Sequence, residues 1–163
     1  MSALLIRFYK DRSGAAAAEM ALILPLALIV MFVSFEAANY IYTEQKIIKA
    51  VRQGARYAGR LPFNQYTCPS AIDAGSVTSI KTVTLTGSPT GTDSLIGGWE
   101  VGDINVTMAC NGATVTGIFE GNTGGAPVVT VSATADYISL FPGMADVNFA
   151  QVRASAQATV NGI

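Results

Sequence analysis

Residues 15–35 carry a single charge, Glu19, and no other stretch of the chain limits its fold as strongly. As one helix this run would be about 31 Å long at the standard rise, enough to cross a hydrocarbon core. A helix that is apolar on every side belongs in lipid or in the interior of an assembly, not on the surface of a soluble domain. Arg7, Lys10 and Arg12 precede it, offset only by Asp11. That bias predicts a cytoplasmic N-terminus, with residues beyond about 35 across the membrane. In a bacterium that side is the periplasm. A secretory signal has an apolar core of about 7–15 residues and ends at a small-x-small site. Here residues 20–35 already exceed it, and "EAANYIYTEQ" continues as helix.

Composition constrains the remainder of the chain. Only 13% of the 163 residues are charged, and the net charge of −1 offers nothing to a nucleic acid. The chain has no histidine, which removes the commonest general base and metal ligand together. Cys68 and Cys110 are the only cysteines, too few for a zinc site without histidine. In an exported domain they are expected to form a disulfide; the alternative is two unpaired buried thiols.

Glu19 stands five residues after Gly14, behind four alanines. In the bland reading it is a surface acid near the cytoplasmic interface, where a carboxylate costs less than at the bilayer centre. In the sharper reading a protease cuts after Gly14, and Ala15 then carries a new cationic amine. That amine on a neighbouring subunit would neutralise Glu19 and set axial register between subunits, since a buried charge is tolerable only as a pair. Gly14 suits cleavage because a residue without a β-carbon lets the chain approach an enzyme closely.

These features resemble the type IV pilin superfamily: a basic leader, glycine, four residues, glutamate, then an apolar helix. Within it "RSGAAAAEMALILPLALIVMF" and "VRQGARYAGR" resemble the TadE-like family of the tight-adherence (Tad/Flp) pilus. The stretches that carry the likeness are residues 14–19, Leu24-Pro25 and residues 51–56; it covers roughly residues 12–60. The position after the glutamate is often aromatic in the family and is Met20 here. The resemblance implies a minor pilin or pseudopilin, cut by a prepilin peptidase and packed by its helix among other pilin subunits. It further implies an inner-membrane assembly platform with its own ATPase, surface adherence as the end, no cofactor and no enzymatic activity. The alternative is an uncleaved, membrane-anchored periplasmic binding or adhesion domain.

Pro25 is expected as a tolerated kink, since membrane helices accommodate proline that would cost about 3 kcal/mol in a soluble one. From residue 40 to 61 no proline interrupts the helix. Ile47, Ile48, Val51, Gly54, Ala55, Ala58 and Leu61 fall on one stripe, and Lys46, Lys49, Arg52, Arg56 and Arg60 on the opposite one. That is an amphipathic continuation, ended by Pro62, which restricts Leu61. The basic stripe reads as a solvated face, a lipid headgroup contact before assembly, or a docking surface for acidic partner subunits. Residues 61–163 hold seven acids against Lys81 and Arg153, a net of −5 that would complement it.

Short Val-, Ile- and Thr-rich segments at residues 77–85, 103–110, 113–119, 127–137 and 152–160 read as strands of an antiparallel sheet. The fold expected is therefore α+β and pilin-like: leader 1–14, transmembrane helix 15–36, amphipathic continuation 37–61, and a β-rich head over 62–163 whose sheet packs on the helix. Phosphate loop, nucleophile elbow and dinucleotide fingerprint are all missing from the sequence. "GNTGGAP" reads as a hairpin loop. Trp99, Tyr66 and Tyr137 could serve adhesion at a pilus tip, but core packing suits them better.

Overall fold

The computed structural model describes residues 13–113, 116–122, 124–143 and 150–162. The leader expected before Ser13 lies outside them. One helix, α1 (Ser13–Arg60), takes in Pro25 without interruption. The chain divides into two units between Ala38 and Asn39.

Among the described residues the first unit is helix alone. Its side chains face outward, including Leu22 at 79% exposure and Met20 at 64%. Gly14–Arg60 is long and apolar enough to cross a membrane, with a mean hydropathy of 2.4 in its most apolar window.

The second unit, Asn39–Ile163, has its own core. Helix α1 contributes Ile47, Ala50, Val51, Ala55 and Ala58, all nearly inaccessible. After a 3-10 turn (Phe63–Gln65) come a two-residue ladder, β1 (Tyr66–Thr67) with β2 (Ala71–Ile72), and a second helix, α2 (Ala74–Thr86). A 3-10 turn at Val101–Asp103 leads into β3 (Ile104–Asn111), and another at Gly117–Phe119 precedes β4 (Ala126–Asp136) and β5 (Gln151–Thr159). These three strands form one antiparallel sheet in the order β3-β4-β5. Alternation sets its faces. Val129, Val131 and Ala133 point into the core with Ile104 and Val152, while Thr130, Ser132 and Thr134 line the opposite face. The α+β architecture, with the helix on an antiparallel sheet, is as expected.

Two expected strands are something else. Residues 77–85 lie in α2, although threonine and valine favour strands. The hydroxyls explain it: Thr78, Ser79, Thr82, Thr84 and Thr86 each donate to the carbonyl four residues back, at 2.8–3.0 Å. Each side chain thereby finds its partner within the helix. The Asp73 carboxylate caps the start by accepting from the Ser76 N–H at 3.0 Å, and Gly87 ends the helix in the left-handed conformation. Burial at Ser76, Ile80, Val83 and Thr84 follows the helical period. The strand expected at residues 113–119 is absent among the residues described there. The Ala113 N–H donates to the Asn111 side chain at 3.2 Å, which turns the chain, and Gly117–Phe119 is a 3-10 turn. Residues 114 and 115 lie outside the described set.

Tyr66 ties β1 to the end of α1, its hydroxyl donating to the Ala58 carbonyl at 2.6 Å. Burial, and then the neighbouring Tyr57, push its phenol from 10.0 up to about 12. The folded protein thus holds this proton more tightly than the unfolded chain does. Its contribution to stability is complete below about pH 10 and is lost as pH rises from there towards about 12. In a tyrosinate absorbance titration Tyr66→Phe should remove a phenol that titrates at about pH 12.

Candidate assembly surface

The first unit presents Gly14, Ala15 and Glu19 in the opening turns of α1, all exposed. Nothing lies within 4 Å of where a β-carbon on Gly14 would stand. Pro25 is exposed inside the same helix, so its missing N–H and ring are accommodated without ending the element. A turn and more beyond, the Ser34 hydroxyl donates to the Val30 carbonyl at 2.7 Å, a hydrogen bond that keeps a polar side chain satisfied within an apolar helix.

In the second unit Lys49, Arg52, Arg56 and Arg60 are exposed along one side of α1, and Lys46 is half-buried. The four exposed bases line a groove together with Gln53, Tyr57, Val83, Gly87 and Pro89. No carboxylate stands among its described lining residues. Lys46 departs from the stripe: its ammonium lies 4.7 Å from the centre of the Tyr42 ring and donates to the Leu95 carbonyl at 3.5 Å. Successive members of the stripe are three or four residues apart, so positive charge recurs about every 5–6 Å along the helix.

The bridge between Cys68 and Cys110 is present and joins the β1–β2 turn to the end of β3. Gly124 packs on it: a β-carbon there would stand 3.0 Å from the Cys68 sulfur, at a backbone φ of +109°. Trp99, Tyr66 and Tyr137 are all buried, at 4%, 8% and 4% exposure. The Trp99 indole donates to the Thr134 carbonyl at 2.9 Å. They serve the core and leave no aromatic platform of their own on the surface. Among the described residues no group of three or more acids or cysteines could hold a metal ion.

Sequence reasoning missed the join between the helix and the segment after β4. Asn39 Nδ2 donates to the Tyr137 hydroxyl at 3.0 Å and to the Ile138 carbonyl at 3.1 Å. The Tyr40 ring stands edge-on to Tyr137 with centroids 5.3 Å apart. The one available signal was "YISLFPG", an apolar run that breaks the alternation of β4.

No curated protein and no solved structure matches this chain. The family model described as TadE-like protein matches residues 14–56. The match begins at Gly14 and takes in Glu19, Pro25 and the Val-Arg-Gln-Gly-Ala-Arg step. By that match the chain carries a TadE-like segment, which associates it with the Tad pilus.

Proposed function

We propose that this chain is a minor pilin or pseudopilin of a Tad-type pilus, assembled through its helix to initiate or build a filament for surface adherence. It enters the inner membrane with its N-terminus cytoplasmic and its head periplasmic. A prepilin peptidase cuts after Gly14, an assembly platform with its ATPase extracts the subunit, and the helix exchanges lipid for the helices of other pilins. The observation that carries this reading is the spacing of Gly14 and Glu19 at the head of an exposed apolar helix, within a TadE-like match. Apolar side chains on every face need a non-aqueous surrounding both before and after assembly. Glu19 is the one group among them that needs a counter-charge, and a freed Ala15 amine on a neighbour provides it. Adherence then comes from the filament and not from chemistry in the head. The basic groove docks acidic surface of a partner subunit, guiding specificity more than affinity.

Intact-mass analysis of the protein from its host tests the reading. The mature chain is expected to begin at Ala15, and a functional chain that keeps Gly14 overturns it. Glu19→Ala should be cut and inserted normally yet fail to enter filaments. Unchanged assembly would favour an uncleaved, anchored binding domain instead. Reversing Arg52 and Arg56 to glutamate should reduce incorporation while leaving the fold intact, because both are exposed.

A further inference from the structure

We propose that residues 137–141, directly after β4, with the turns of α1 beside them, are a second membrane-contacting element that seats the head on the lipid surface. This rests on the membrane-anchored reading above and goes beyond it, because it assigns lipid contact to the head itself. Ile138 is 60% exposed and Leu140 53%, while on α1 Ile41 is 56% exposed and Tyr42 60%. Single exposed apolar side chains are ordinary on any surface. These belong to two elements that the Asn39 hydrogen bonds to Tyr137 and Ile138 hold together. All of them lie within the unit Asn39–Ile163, with Ile41 and Tyr42 in its first helical turns, shortly beyond the apolar run that ends at residue 35.

The chemistry of the surroundings selects lipid as the occupant. Tyrosines and a long-stemmed cation at the end of an apolar helix are the side chains that favour a membrane–water interface. Tyr40 and Tyr42 supply the first, and Lys46, beside the Tyr42 ring, the second. Three carboxylates that anionic headgroups would repel stand near the patch, Glu36 and Glu44 on α1 and Asp136 at the end of β4; Asp136 accepts a hydrogen bond from Gln151 Nε2 at 3.0 Å along the strand pair. The segment is also braced, since the Phe141 N–H donates to the Ser139 hydroxyl at 3.2 Å. It therefore offers apolar side chains without having to order itself first, which lowers the cost of contact.

The test uses the full chain in phosphatidylcholine–phosphatidylglycerol vesicles whose acyl chains are brominated near the headgroup end or near the bilayer centre. Trp99, buried in the head, is the constant background. In Ile138→Trp and, independently, Tyr42→Trp, the added fluorescence should be blue-shifted and should lose about half its intensity to the shallow bromines, with little loss to the deep ones. Leu24→Trp reports the anchor and should be quenched by the deep bromines. Thr107→Trp, on the sheet face turned from the core, should resemble free tryptophan in water. If Leu24→Trp is quenched while Ile138→Trp and Tyr42→Trp remain water-like, the head does not touch lipid and the proposal falls, with the anchor intact. If the two reporters are blue-shifted but unquenched, and the shift disappears as protein is diluted in the bilayer, a second copy covers the patch and the lipid assignment falls. An unquenched Leu24→Trp removes the anchor and this proposal with it.

Discussion

A Cys68→Ser, Cys110→Ser chain is expected to be less stable than the oxidised protein by about 4 kcal/mol in the chain-entropy model. The bridge spans a sequence separation of 42 residues, so removing it frees a large loop in the unfolded state. In detergent micelles, melting followed by near-ultraviolet dichroism of Trp99 should shift downward by on the order of 10 °C or more. The loss should begin locally. The bridge fastens the β1–β2 turn to the end of β3, and those two strands pair over only two residues each. Hydrogen exchange at Tyr66–Ile72 should therefore accelerate before the β3-β4-β5 sheet opens. If the melting temperature is unchanged, the bridge is decorative.

Gly54→Val should cost about 1–3 kcal/mol, the usual range for overpacking. Gly54 is buried where α1 meets α2, and a β-carbon there would collide with the Thr84 hydroxyl and stand 3.1 Å from Thr84 Cβ. Thr84 is itself inaccessible, and its hydroxyl already donates to the Ile80 carbonyl at 2.8 Å. Neither helix can yield without moving other core groups. Alanine at position 54 isolates the steric part: it should gain up to about 1 kcal/mol in helix propensity and still lose stability. Adding Thr84→Ala to Gly54→Ala should recover part of that loss, because the hydroxyl in the way is gone. A double-mutant cycle with no coupling would show that the two helices separate freely there.

Much of this architecture is legible from residue patterns. The apolar run, the stripe from Ile47 to Ala58 and the strands β3, β4 and β5 follow from period and polarity, with strand ends within about one residue of those expected from sequence. Helix α2 is not, because threonine weighs as a strand former. The overriding signals, a capping aspartate at position 73 and a glycine at 87, are present but weaker than the run of β-branched residues between them. Gly54 looks like a weak point in a helix, whereas its lack of a side chain is what lets α2 come close. Nothing local announces that, because the reason lies thirty residues away. The surface formed by Asn39, Tyr42 and Ile138 is equally hidden, since it exists only once β4 returns the chain to the helix.

One modest hydrogen bond governs when the head can be complete. The Asn161 N–H donates to the Gly59 carbonyl at 2.8 Å, while Val152 and Val160 are wholly inaccessible. The end of the first helix is thus closed by a strand roughly a hundred residues downstream, a contact of long sequence separation that forms late. Until β5 is delivered, β4 has a vacant edge and the helix a bare greasy flank. A chain whose β5 residues have not yet emerged cannot close the end of α1, so the core of the head stays open until β5 has paired with β4.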